Sequence, residues 1–191
     1  MIYGDFDYAP CDEEHPKRPK EVYGGTKYAG EIIVQAFARR FGLKYAIVRP
    51  SAVYGPTDVN RRVSQIFIEK ALMGKTINIQ GRDEALDFTF VKDIVGATIC
   101  AGNSNLQGVA EPFDVGGGVS ASLGEVMSLV EEITGRSLRV DHEPSAAGDP
   151  LITVASTEFT EKTLNWKPTT GLREGLLEHY NSLRESVASS T

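Results

Sequence analysis

The chain has 191 residues, 41% of them hydrophobic and 24% charged, enough to bury one sizeable core and unlike the composition of a disordered segment. A formal net charge of -6 and a pI near 5.2 exclude a global attraction for nucleic acid or anionic lipid, so a phosphate-bearing ligand must be held by local groups. Two distant cysteines (Cys11, Cys100) and three scattered histidines (His15, His142, His179) give neither a disulfide framework nor metal-ligand spacing, and no metal is expected.

Residues 4–21 hold Pro10, Pro16 and Pro19 among charged residues, which predicts an ordered loop or surface excursion. Ile32, Ile33, Ala36, Phe37 and Phe41 then recur at three and four before Gly42, predicting a helix over 23–41. A strand over 43–49 ends at Pro50, and a helix over 62–73 ends at Gly74. Strands follow over 76–80 and 87–91, then a buried helix over 94–101 and a short strand over 112–115. Ser122 and Glu125 fit a capping box for a helix reaching Thr134 and ended by Gly135. A strand over 138–142, a connection over 144–157, a short helix from Thr157 and an amphipathic helix over 172–186 complete the chain. The alternation predicts an α/β fold without repeats. No apolar run reaches membrane-spanning length, and the first residues lack the pattern of a signal peptide, so a cytoplasmic location is expected.

Chemistry concentrates in Tyr23-Gly24-Gly25-Thr26-Lys27-Tyr28-Ala29-Gly30-Glu31. Tyr23 and Lys27 are four apart at the head of a helix and project from one face. Alone, that spacing describes many surface pairs; the flanking residues decide. The segments Met1-Ile2-Tyr3-Gly4-Asp5 and Pro19-Lys20-Glu21-Val22-Tyr23-Gly24-Gly25-Thr26-Lys27, with Glu31, resemble the extended short-chain dehydrogenase/reductases of the sugar-nucleotide epimerase/dehydratase type. In that family a strand ending in VYG, a loop rich in Pro and Glu, and a YGxSKxxxE helix follow one another.

The resemblance implies that Tyr23 is the acid/base and that Lys27 tunes it and holds the nicotinamide ribose. Tyrosine ordinarily titrates near ~10, too high for a base at neutral pH, and a nearby ammonium favours the phenolate. The family's serine, four residues before the tyrosine of VYG, falls before Met1, and no GxxGxxG is present. The main dinucleotide-binding motif is therefore absent from this sequence, and the chain is expected to be a truncated carboxy-terminal part of such an enzyme, its amino-terminal half possessed separately or lost.

Further resemblances run to the end of the chain. Arg49-Pro50-Ser51-Ala52-Val53-Tyr54-Gly55-Pro56 resembles RxxNVYGP, which implies cofactor contacts for Pro50 and Val53 and substrate contacts for Ser51 and Ala52. Ala52 stands where many members have asparagine. Residues 81–93 resemble GxGxxxRDFxYVxD with Leu86 in place of a phosphate-binding arginine, and Ala146 and Ala147 precede Gly148-Asp149 where a second arginine is common. Arg61, Arg62 and Arg82 are candidate replacements for that charge. Phe113-Asp114-Val115-Gly116, Leu164-Asn165-Trp166-Lys167-Pro168 and Leu172-Arg173-Glu174-Gly175-Leu176 resemble the family's YNVG, LGWxP and LxEGL.

Gly116-Gly117-Gly118-Val119-Ser120-Ala121 also matches GxGxxA, with Asp141 further on. Its helix is expected to be capped beyond the motif, at Ser122, so a plain turn is preferred to a second dinucleotide site. Asp12, Glu13 and Glu14 are read as a solvated face, the histidines as exposed or structural, and Trp166 as packing.

The resemblance thus implies the carboxy-terminal part of a Rossmann-type sheet over 1–55 and a small α/β substrate-binding lobe over 56–191, with some segments returning to the sheet. It implies NAD or NADP as cofactor, a nucleotide sugar as substrate and a homodimer, with no nucleic acid and no membrane. Two other readings stay open: a non-catalytic fragment that does not bind NAD, and a reductase of a substrate without a nucleotide.

Overall fold

A computed structural model describes residues 1–80, 85–104, 111–143 and 154–188. The elements, in chain order, are α1 (Val22–Phe41), β1 (Val48–Pro50), β2 (Ala52–Tyr54), α2 (Val63–Met73), β3 (Thr76–Gln80), β4 (Ala85–Leu86) and β5 (Phe88–Phe90). There follow α3 (Val91–Asn103), β6 (Phe113–Val115), β7 (Ala121–Ser122), α4 (Leu123–Thr134), β8 (Arg139–Glu143), α5 (Glu158–Leu164) and α6 (Leu172–Ala188). Helices α1, α2 and α4 stop at Gly42, Gly74 and Gly135, with φ of 69°, 62° and 65°. That left-handed backbone costs least without a Cβ, and each glycine N–H closes the last turn. At the start of α4 the Ser122 hydroxyl accepts from the Glu125 N–H at 3.2 Å, and the Ser122 N–H donates to the Glu125 carboxylate at 2.7 Å.

Strand pairing is mainly parallel: β1 with β6, β2 with β5 and β3 with β8, whereas β4 and β7 pair antiparallel. Parallel pairs need crossovers, which the intervening helices provide. In β3 the alternation expected from the sequence buries Ile77 and Ile79, each contributing about 2 kcal/mol relative to exposure. The larger core gathers β2, β3 and β5 with the inner faces of α2, α4 and α6, from Tyr54 to Leu176. A second core places Ala97 and Ala101 of α3 against Phe113 and Val115 of β6, with Trp166 packed at its edge. There the rings of Phe113 and Phe159 stack 5.6 Å apart. The chain passes repeatedly between the two cores, so neither is one continuous segment.

Several elements differ from the sequence expectation. The strand over 43–49 shrinks to Val48–Pro50, and Leu43 is exposed; its β-rich residues find a partner only where β6 runs alongside. The strand over 87–91 ends at Phe90, and α3 starts at Val91, three residues early, because Val91 already turns into the helix behind the buried β5. Residues 4–21 are not a surface excursion throughout: Cys11, Glu13 and His15 are buried, and Cys11 exchanges backbone hydrogen bonds with the Val154–Ser156 segment. Residues 81–84 and 144–153, which hold Arg82, Ala146, Ala147, Gly148 and Asp149, lie outside the described residues.

In α6, a Cβ on Gly175 would stand 2.1 Å from the Tyr54 hydroxyl, and Tyr54 is only 2% exposed. Gly175→Ala is therefore expected to destabilise the chain by about 1–3 kcal/mol through overpacking. A thermal melt showing no drop in Tm would remove that account of the residue.

Candidate active site

Helix α1 begins hard against the amino-terminal segment. Gly24 is its one fully buried residue, and a Cβ there would lie 2.7 Å from the Met1 carbonyl oxygen. This close approach fixes where the first turn sits. On that turn Tyr23 is exposed, and one turn later Lys27 is exposed too, its Nζ 5.4 Å from the centroid of the Tyr23 ring. Neither side chain has a hydrogen-bonding side-chain partner among the described residues, so both polar tips are open to a ligand.

Glu31, one further turn along, is held differently. Arg49 of β1 donates Nε to Glu31 Oε1 at 2.9 Å and Nη2 to Oε2 at 2.7 Å, and the two side chains are only 8% and 11% exposed. Arg49 Nη1 donates to the Tyr3 hydroxyl at 2.6 Å. Tyr3 in turn donates to a carboxylate oxygen of Asp114, which lies directly across from Arg49 in the β1–β6 register. The Asp114 N–H donates to Glu13 Oε1 at 3.3 Å, so Glu13, expected on a solvated face, is an interior acceptor. A wall of strand and loop is thus tied to α1 by one buried polar network.

Burial sets the protonation of this network. It raises the Asp114 carboxyl to about 7, against the opposing hydrogen bond from Tyr3 and charge of Arg49. Burial, followed by the charge of Asp114, raises Tyr3 above the ordinary tyrosine range. Burial opposes the charge of Arg49, but its hydrogen bonds to Glu31 and the nearby anions outweigh that effect and hold it above the arginine range.

Beside the network opens a cavity of about 470 Å³, lined by residues 1–6 and 49–52 and by Cys11, Lys20, Glu21, Leu86, Asp114 and Ala155. Asp87, next in the chain to the lining residue Leu86, is fully buried. Its carboxylate accepts from the Gly117 N–H at 2.7 Å and the Ala155 N–H at 3.1 Å, which offsets part of the burial that raises its pKa. Gly116 and Gly117 are glycines because a Cβ would strike Asp87 and the Phe88 carbonyl. Gly116 and Gly117 are thus close-packed, Gly118 is open with a φ of 76°, and Ser122 caps α4 beyond the motif.

Of the residues singled out in the sequence, Pro50, Ser51, Ala52 and Leu86 meet at this cavity. Val53 does not line it, and neither do Tyr23 and Lys27, although Lys20 and Glu21 just before them do. Arg61 is engaged by Glu69 of α2 and Arg62 by Asp58, at 3.1 Å. Arg82 is outside the described residues. The roles of Tyr3, Glu13, Asp87 and Asp114 were missed; Tyr3, Asp87 and Asp114 are polar residues inside matched motifs, and Glu13 carried no such signal. His15 is buried, donating through Nδ1 to the Pro16 carbonyl and accepting the Asp7 N–H at Nε2. Among the described residues no group of three or more His, Cys, Asp or Glu is placed to hold a metal ion, and no helix is long and apolar enough to cross a membrane.

The model of the NAD dependent epimerase/dehydratase family matches residues 1–116. The chain belongs to that family. It is 30% identical over 189 residues to a putative UDP-glucose 4-epimerase of Methanocaldococcus jannaschii, covering 97% of this chain and 60% of that protein. It is 29% identical to the UDP-glucose 4-epimerase of Corynebacterium glutamicum, covering 87% of this chain and 55% of that one.

Among solved structures, UDP-glucose 4-epimerase of Thermotoga maritima with UDP-glucose aligns at a TM-score of 0.90 and 29% identity, covering 97% of this chain and 61% of that one. UDP-glucuronic acid 4-epimerase of Bacillus cereus, in complex with UDP-glucuronic acid and NAD, aligns at a TM-score of 0.90 and 27% identity, covering 97% and 59%. The fold is thus α/β of the Rossmann-type epimerases, and the chain spans little more than half to three fifths of these proteins' length.

The Asp114 shift has a measurable sign. A carboxyl whose folded pKa is raised from 3.8 to about 7 favours the folded state at low pH, and that stability is lost as pH rises through the interval. Between pH 4 and pH 7 the urea midpoint of the parent chain is expected to fall relative to that of Asp114→Asn. Parallel midpoint curves for the two proteins would show that Asp114 titrates normally.

Proposed function

We propose that this chain carries the acid/base pair and part of the substrate site of an NAD(P)-dependent epimerase acting on a nucleotide-linked sugar. The observation that supports it most is the Lys27 ammonium 5.4 Å from the Tyr23 ring, with both tips uncommitted on the first turns of α1. Two further observations agree: residues 20 and 21, just ahead of the pair, line the cavity, and the similar UDP-glucuronic acid 4-epimerase of Bacillus cereus was solved with NAD and a UDP-sugar.

In this reading Tyr23 and Lys27 hold the nicotinamide ribose, with Pro50 and Val53 beside it. NAD, when bound there, would supply the acceptor and then the donor of the hydride on the sugar carbon. Tyr23 takes the proton from the hydroxyl on that carbon as the hydride leaves and gives it back to the same oxygen when the hydride returns to the opposite face of the carbonyl carbon. Lys27 stabilises the phenolate that begins each turnover. Ser51, Ala52 and Leu86 border the sugar nucleotide, with Arg61 and Arg82 as candidate phosphate partners. The pyrophosphate cradle is supplied by residues other than these, and the apolar residues Ile33, Phe37 and Phe41 that α1 exposes meet a second copy in a homodimer. Such an enzyme would work in the cytoplasm.

One observation favours the alternative of a substrate without a nucleotide. Ala52 and Leu86 make the cavity wall apolar where an amide and a cation were expected, and Arg61 is already engaged by Glu69. Calorimetry with UDP-glucose separates the two readings, together with an assay for NAD-dependent conversion to UDP-galactose. Saturable UDP-glucose binding and epimerisation that falls at least ~100-fold in Tyr23→Phe are expected. Retained turnover in that variant would contradict the role of Tyr23, and no UDP-glucose binding would contradict the substrate class.

A further inference from the structure

Lys27 has a neighbour on each side along its own helix. Tyr23 lies four residues before it and Glu31 four residues after. Residues four apart on a helix adjoin, and a lysine and a glutamate at that spacing attract. Glu31 is thus the natural competitor for the ammonium that Tyr23 needs.

The competition is decided by β1. Both carboxylate oxygens of Glu31 are engaged by Arg49, at 2.9 and 2.7 Å, in a pair whose side chains are 8% and 11% exposed. No hydrogen bond or ion pair joins Lys27 to a carboxylate among the described residues. Its Nζ instead stands by the Tyr23 ring.

We propose that Arg49 is a positioning residue for the Tyr23–Lys27 pair: by occupying Glu31 at both oxygens, it withholds that carboxylate from Lys27 and leaves the ammonium to Tyr23. The physical preference is plain. A guanidinium matches a carboxylate with two parallel N–H donors and is weakly hydrated, whereas an ammonium is a compact, strongly hydrated charge. Arg49 is further anchored by Tyr3, itself bonded to Asp114, so its fork is already aimed. Lys27 would have to leave water to take its place.

The consequence for catalysis rests on Tyr23 being the acid/base group; the partition of charges does not. The test therefore reads Tyr23 directly, as the ultraviolet phenolate titration of the 191-residue chain with the Tyr23→Phe trace subtracted. In Arg49→Met, Glu31 is released to Lys27, and the Tyr23 midpoint is expected to rise by roughly half a pH unit, the scale of an exposed charge pair. In Arg49→Met/Glu31→Gln the competitor is gone and the midpoint is expected to return to the parent value. Glu31→Gln alone is expected to leave it unchanged.

A merely structural role for Arg49 predicts that the double variant stays as disturbed as the single one, and that result would overturn the proposal. So would a parent-like midpoint in folded Arg49→Met, or a lowered midpoint in Glu31→Gln, which would mean that Glu31 already draws on Lys27. Circular dichroism establishes folding of each variant; if Arg49→Met does not fold, the Glu31→Gln and double-variant midpoints decide. Epimerisation surviving in Tyr23→Phe would sink the functional reading and leave this titration result standing.

Discussion

The attachment of α1 depends on one buried pair of opposite charges. Helix α1 offers little apolar surface to the rest of the molecule: Gly24 is its only fully buried residue, while Ile32, Ile33, Phe37 and Phe41 face outward. What ties the helix to β1 is the fork of Arg49 on Glu31. Two charges withdrawn from water are tolerated only when nearly all their hydrogen-bonding capacity is used. Here Arg49 gives a third N–H, from Nη1, to Tyr3, and Tyr3 passes the connection to Asp114 across the β1–β6 register. The same network borders the cavity, so the position of the Tyr23 helix and the shape of the cavity wall share one cause.

That arrangement divides labour among adjacent turns of one helix. The first turn presents Tyr23, the next presents Lys27, and the third commits Glu31 to the interior. Asp87 does for loops what Arg49 does for the helix. Its carboxylate gathers the Gly117 and Ala155 amides, holding three distant segments together. The open, uncommitted groups are thereby separated from the buried, committed ones.

Much of this was legible in the sequence because it is local. Glycine stops at 42, 74 and 135 and the Ser122–Glu125 box are read from a few adjacent residues, and each appears in the structure. The family followed from motif spacing around Tyr23, Arg49 and Asp87. The rest depends on contacts distant in the chain. Nothing near Glu13 announces that it accepts from Asp114, 101 positions away, and nothing in a Pro-rich, charged loop announces that Cys11 and His15 are buried. Arg49 was visible only as the first letter of a motif; its work shows once β1 is set beside α1. The short β1 likewise reflects its partner, since only three residues run beside β6.

The Arg49–Glu31 pair holds α1 in place. A double-mutant cycle on chain stability, using Arg49→Met, Glu31→Gln and both together in urea unfolding, tests it most directly. The account predicts that each single variant loses about 3–5 kcal/mol, because it leaves a buried charge without its partner, and that the double variant loses far less than the sum. Additive losses, each below about 1 kcal/mol, would show that the pair is an ordinary surface contact and that something else seats the helix.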